Sequence, residues 1–223
     1  MTKAVQARGG PQKLHAVQSL RLGGRVSLGP KAGGLLVEFK RPNRMRMEVH
    51  LPEGTLLRLF DGSKGWTSQV ASATPLLAPM SPAELARTRR EADLDGPLLD
   101  SAAKGIRFAL AGQGEVSGRA TDLLDVYFPD GTVQRYQLDA TTHEPLGWDE
   151  TQHQDGKVRV EETRFRVNRR VEGILFPILI ESGVHGGTLS SRINIDSIEL
   201  NPSLDDARFR PTAGSEAPSP NGP

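Results

Sequence analysis

Met45, Met47, Val49 and Leu51 alternate with Arg44, Arg46, Glu48 and His50, and this strict two-residue period reads as an extended strand. Neighbouring side chains of a strand point to opposite faces, so the segment offers one apolar and one charged face. The rhythm also occurs at Leu20, Leu22, Val26 and Leu28, then at Leu35, Val37 and Phe39, and continues at Leu57 and Leu59. Short turns between such runs require antiparallel neighbours, because parallel strands need long crossovers. Residues 106–110, 115–118, 123–128, 132–139, 145–153, 157–167, 174–181 and 188–199 extend the series. Pro129-Asp130-Gly131, Asp155-Gly156 and Gly186-Gly187 supply turns between them. The expectation is one antiparallel sheet of ten to twelve strands. The 24 glycines and 16 prolines fit that reading and disfavour a helical bundle.

Helices interrupt the strands in two places. The first ~18 residues read as helix broken at Gly9-Gly10, with Pro11 opening the second piece. Ser81-Pro82-Ala83-Glu84 has the form of a capping box and starts a helix over 82–92. Gly96-Pro97 ends it, and 98–103 is a candidate for a second short helix. A loop rich in Pro, Ser, Thr and Ala over 71–82 precedes this insertion. With no repeat and no linker, residues 1–211 read as a single domain, and the tail over 212–223 as disordered by composition.

Most reactive chemistry finds no support in the residues. There is no cysteine, which removes disulfides, thiolate metal sites and cysteine nucleophiles. The histidines at 15, 50, 143, 153 and 185 make no metal-ligand spacing. Gly112-Gln113-Gly114-Glu115-Val116-Ser117-Gly118 departs from a dinucleotide fingerprint and reads as a connection between strands. His185-Gly186-Gly187 lacks the Gly-x-Ser-x-Gly elbow that an esterase reading needs. The acidic pairs Asp93/Asp95, Asp149/Glu150 and Asp205/Asp206 lie near turns or helix ends, where capping and solvation explain them. Balanced charge, 28 Lys+Arg against 27 Asp+Glu, gives no footprint for nucleic acid. What remains is shape: Leu85, Leu94, Leu98 and Leu99 of the insertion would face Met45, Met47, Leu57 and Leu59 across an apolar cavity. The same residues serve equally as an ordinary packed core.

Two motifs sharpen this. Lys40-Arg41-Pro42-Asn43, followed by Phe60-Asp61-Gly62-Ser63-Lys64-Gly65-Trp66, resembles the corner and later hairpin of LolA-like periplasmic lipoprotein carriers. Asn201-Pro202-Ser203-Leu204-Asp205-Asp206-Ala207-Arg208-Phe209 is similar to a closing segment of lipoprotein-sorting-like proteins. The stretches 91–97 and 173–177 look like segments of uncharacterised members of that group. The resemblance implies an α+β, mainly antiparallel fold: an incomplete, half-open β-barrel with an inserted helical lid and an N-terminal helix. It implies Arg41 as a latch donating to backbone carbonyls of the lid. It further implies a monomeric periplasmic protein whose signal peptide has been removed, with no cofactor, no catalysis and no nucleic acid. Its partners would be lipoprotein or other acylated cargo, an inner-membrane donor and an outer-membrane acceptor. Rival readings on the same fold are a periplasmic lipid or lipoprotein sensor, a carrier of another hydrophobic molecule such as a glycolipid or polyketide, and a non-hydrolytic small-molecule enzyme. The enzyme would need polar groups inside, for which Arg46, Glu48, Tyr127 and Tyr136 are candidates, although their alternation points them away from the apolar face.

Overall fold

The computed structural model describes residues 2–68, 76–154 and 157–212. The expected N-terminal helix forms as two pieces, α1 (Thr2–Arg8) and α2 (Pro11–Ala16), with Gly9 and Gly10 at positive φ between them. The strands are β1 (Ser19–Leu28), β2 (Lys31–Lys40), β3 (Arg44–Leu51), β4 (Gly54–Phe60), β5 (Gly65–Ser68) and β6 (Leu77–Pro79). Helix α3 (Pro82–Glu91) follows, then β7 (Arg107–Val116), β8 (Arg119–Tyr127), β9 (Val133–Asp139), β10 (Pro145–Gln154), β11 (Lys157–Val171), β12 (Ile174–Val184) and β13 (Leu189–Leu200). A 3-10 turn, Asp206–Phe209, closes the described chain.

Hydrogen bonding orders the strands β6-β5-β4-β3-β2-β1-β13-β12-β11-β10-β9-β8-β7 in one antiparallel sheet that does not close. Thirteen strands replace the expected ten to twelve. The extra element β6 lies in the Pro-rich loop, where it pairs with β5 through Trp66↔Pro79 and Ser68↔Leu77. The glycines at 112 and 114 do not separate two strands; they lie within β7, whose register shifts between Leu110 and Gly112. Residues 98–103 form turns in place of the expected second helix. The capping box forms as expected: Ser81 Oγ accepts from the Glu84 amide, and Glu84 accepts from the Ser81 amide. The composition-disordered tail from 213 onward lies outside the described residues.

The chain divides into two compact units. One, here the corner unit, comprises Val17–Gly96 and the chain from Ile195; the other, the aromatic unit, comprises the chain to Ala16 and Pro97–Asn194. In the aromatic unit, cross-strand partners put Leu124, Tyr136, Trp148 and Thr163 in one row. Tyr136 stacks on Trp148 at 5.5 Å, and Phe165 meets the same indole edge-on at 5.3 Å. Tyr136 is therefore buried among apolar side chains, against the expectation that it points away from them. The opposite row holds charges: Asp125↔Arg135↔Asp149↔Glu162. Arg164 bridges Asp149 at 2.7 Å and Glu162 at 2.8 Å there.

Asp139 pins the turn after β9. Its Oδ1 accepts from the amides of Thr142 (2.7 Å) and Thr141 (2.9 Å), and Arg119 lies 2.6 Å from Oδ2. The Thr142 amide is the main cause holding this carboxyl below its ordinary value of 3.8, with Thr141 and Arg119 adding to it. A depressed folded value contributes stability above the unfolded value and loses it as pH falls through the folded one. Asp139→Asn should therefore be less stable than the parent at neutral pH, with the difference shrinking as pH falls below about 3.8, as followed by urea midpoints.

The corner unit is closed by its C-terminal segment. Phe209 has no exposed surface and Leu204 is buried. Glu38, also without exposed surface, accepts from Arg21 (2.9 Å) and from Arg208 (2.8 Å). Phe209→Ala should cost about 3–5 kcal/mol in equilibrium urea unfolding, the range for deleting a fully buried aromatic ring.

Candidate functional site

The corner Lys40-Arg41-Pro42-Asn43 joins β2 to β3, and its side chains hold three stretches far apart in sequence. Lys40 donates to the carbonyl of Leu204 (2.6 Å) and to Asp206 (2.7 Å) in the closing segment. Asn43 donates to the carbonyl of Arg89 near the end of α3 (3.1 Å). Arg41 donates through Nε to the carbonyl of Val17 (2.8 Å) and grips both oxygens of Asp95, at 2.8 and 2.6 Å. Its backbone amide donates to Gln18. A planar guanidinium on a carboxylate makes two parallel charge-assisted bonds, the strongest pairing an arginine offers.

Asp95 lies just beyond α3, where Asp93 accepts from its amide. Its side chain is only 8% exposed. The expectation that Asp93 and Asp95 are solvated capping groups holds for the Asp93 contact and fails for Asp95, which is buried against Arg41. The inserted segment is thus tied to the corner through the Asp95 carboxylate, gripped by Arg41, and through the Arg89 carbonyl, which accepts from Asn43. The acidic pair Asp93/Asp95, within the stretch 91–97, marked this position in the sequence, and nothing in it distinguished a cap from an ion pair. Asp206 accepts from Lys40 first and lies beside Arg44, and both hold its carboxyl below the ordinary range.

Beside the corner, register decides which side chains share a face. Leu20–Phe39–Met45–Phe60 form one cross-strand row, Leu22–Val37–Met47–Arg58 the next, and Gly24–Leu35–Val49–Leu56 a third. Apart from Arg58, this side of the corner unit is apolar over β1–β4. Leu22, Phe39, Met47 and Leu56 stay half-buried while Leu20, Leu35, Val37, Met45, Val49 and Phe60 are buried. Helix α3 lies on the same side. Arg58 reaches Thr88 and Glu91 on it, the latter at 2.9 Å. A Cβ on Gly65 would come within 3.0 Å of Leu85, so that glycine lets the insertion approach the sheet.

The expected cavity residues divide accordingly. Met45, Met47 and Leu85 lie on the apolar side, and Leu94 is half-buried in the turn between Asp93 and Asp95. Leu57 and Leu59 stand on the other side, opposite Glu48 and Arg46, and cluster with Trp66 and Leu77. Leu98 and Leu99 are buried in the aromatic unit. The eight leucines and methionines therefore do not line one face. Leu22, Phe39 and Leu56 complete the apolar side, and pairing arithmetic between β3 and β4 was the missing information. Arg46 and Glu48 pair with each other on the charged side, as their alternation implied. Among the described residues no group of three or more His, Asp or Glu side chains could hold a metal ion.

No family model matches the sequence, and no curated protein matches it. Solved structures do match. A LolA-superfamily protein from Nitrosomonas europaea is 12% identical over 93% of this chain and 97% of its own, with a TM-score of 0.62. A DUF1329-family protein from Desulfovibrio piger is 13% identical over 93% of this chain and 94% of its own, also at 0.62. An outer-membrane lipoprotein-sorting protein domain from Vibrio parahaemolyticus is 12% identical over 93% and 96%, at 0.58. The chain has the LolA-like fold.

Removing one member of the Arg41–Asp95 pair strands the other. Arg41→Leu should cost about 3 kcal/mol in urea unfolding, and Arg41→Leu combined with Asp95→Leu should recover most of that loss. A double variant no more stable than the single would show that the loss does not come from stranding Asp95.

Proposed function

We propose that this protein is a periplasmic carrier that takes up the acyl chains of lipoproteins or other lipids and passes them towards the outer membrane. The observation that carries this reading is the largely apolar side of β1–β4 in the corner unit, left half-buried at Leu22, Phe39, Met47 and Leu56, on the side of the sheet where the inserted helix α3 meets Arg58. The LolA-like fold supports it, as does a corner arginine gripping that segment. No helix among the described residues is long and apolar enough to cross a membrane.

The physical need is plain. Keeping acyl chains in water costs about 0.8 kcal/mol per methylene, on the order of 12 kcal/mol for a chain of roughly fifteen. An apolar sheet side under a movable cover replaces the bilayer in transit. Methionine suits such a surface, since its unbranched, polarizable side chain adapts to irregular contacts. Arg41 acts as the latch: its fork on Asp95 holds the segment carrying Leu85 and Leu94 over Met45 and Met47 when no cargo is bound. No cofactor and no bond-making step enter the reading. Its partners are the acylated cargo, a donor at the inner membrane and an acceptor at the outer membrane.

Native mass spectrometry of protein purified without detergent from a periplasmic fraction, followed by lipid extraction, should yield a discrete adduct assignable to an acylated molecule. Arg41→Leu should change the fraction retained through purification. A clean unliganded mass that persists after incubation with lipid vesicles and acylated peptides would overturn the carrier reading. Unchanged retention in Arg41→Leu would remove the latch alone.

A further inference from the structure

We propose that the aromatic unit holds the anionic headgroup of a single-chain amphiphile in a cavity beside α1. This deepens the carrier reading and rests on it. The cavity, about 210 Å³, is walled by Ala4, Leu110, Leu124 and Leu138 and also lined by Lys3, Asp122 and His143. That volume accommodates several groups the size of a water molecule, enough for a phosphate or carboxylate and the first carbons of a chain.

Elsewhere in the unit several carboxylates on the strands are paired with arginines. Arg164 bridges Asp149 and Glu162, Arg135 holds Asp125, Arg166 holds Glu181, and Arg119 holds Asp139. Lys3, Asp122 and His143 make no side-chain hydrogen bond or ion pair with another described residue. Three ionisable groups thus converge without protein partners on a floor of buried Ala4, Leu124 and Leu138. Asp122 and His143 are themselves only partly exposed.

His143 is also held in place at a conformational cost. Its φ is 59°, in the left-handed region, and its amide donates to the carbonyl of Asp139 at 2.8 Å. That region costs a non-glycine residue roughly 1–2 kcal/mol, and the turn that imposes it is the one Asp139 pins. The turn thus fixes the His143 backbone, and its side chain lines the cavity together with Lys3 over buried Ala4, Leu124 and Leu138.

The chemistry fits an alkyl phosphate or alkyl carboxylate. Lys3 donates to the anionic oxygens, His143 donates a second bond, and the leucines receive the first carbons of the chain. Asp122 accepts from the remaining P–OH of an alkyl phosphate monoanion. Leu110, 76% exposed on the end strand β7, leaves the cavity open for the rest of the chain to emerge. An inorganic anion would leave the leucine wall unused, and a neutral alcohol would leave Lys3 unused.

Binding of dodecyl phosphate, dodecanol and butyl phosphate, each below its aggregation concentration, tests this by isothermal titration. The proteins are the parent, Lys3→Ala combined with His143→Ala, and Lys64→Ala as a charge-matched control, each checked for an unchanged urea midpoint. The parent and the control should bind dodecyl phosphate at least about tenfold more tightly than dodecanol, as expected for bonds to a charged group. The double variant should lose that preference while retaining dodecanol. Equal binding of the two in the parent, or a preference surviving the double variant, would overturn the headgroup site and leave the carrier reading standing. Butyl phosphate held through Lys3 and His143 with no long-chain binding would mean a small-anion site and would overturn both. No binding of any probe would also overturn both.

Discussion

The two-residue turn at Pro52-Glu53 sets Leu51 opposite Gly54, and every pairing between β3 and β4 follows from it. Because side chains alternate with a period of two, that turn places odd-numbered residues of β3 beside even-numbered residues of β4. A turn one residue longer would exchange the sides of β4 and bring Leu57 and Leu59 to Met45 and Met47. The observed register instead puts Phe60 opposite Met45, Arg58 opposite Met47 and Leu56 opposite Val49, and sends Leu57 and Leu59 to Trp66 and Leu77. Where the apolar side lies, how wide it is and what α3 can cover all depend on this count.

The charged side has its own logic. A carboxylate with no exposed surface must be paired, and Glu38 is paired twice, by Arg21 on the neighbouring strand and by Arg208 in the closing segment. Such pairs contribute little net stability against an apolar alternative of the same shape, but breaking one is costly. Their value here is selection of a register and of a docking position. Arg208 reaches Glu38 only if the closing segment lies where Phe209 is buried, and Arg41 reaches Asp95 only if the inserted segment lies over the corner. Lys40, Arg41 and Asn43 convert one turn of chain into a meeting point for the stretches around 17, 89–95 and 204–206.

Local signals were legible where local physics decides. The break at Gly9-Gly10, the Ser81–Glu84 capping box and the Asp61-Gly62 turn all appear as read, the last with Asp61 accepting from the amides of Ser63 and Lys64. The Leu98–Ala103 stretch has helical composition yet forms turns, so propensity yielded to tertiary context there. Gly112 and Gly114, which look like punctuation, sit within a continuous strand whose irregularity is a shift of register. Tyr136 alternates with charged and polar neighbours and yet is buried, because Trp148 across the strand supplies an apolar partner no local window contains.

The sequence by itself determined that this chain is an antiparallel sheet with short helical insertions, and that the corner at 40–43 carries unusual information. Alternation, turn residues and caps act over a few residues, so their consequences can be read from a few residues. Tertiary structure alone decided that Arg41 meets Asp95, that Glu38 is shared by two arginines, and that the expected leucines and methionines separate onto different faces and units. Each of those outcomes depends on the spacing of residues brought together across strands or from 50 to 170 positions apart, and alternation along one strand cannot fix which side of its neighbour it joins.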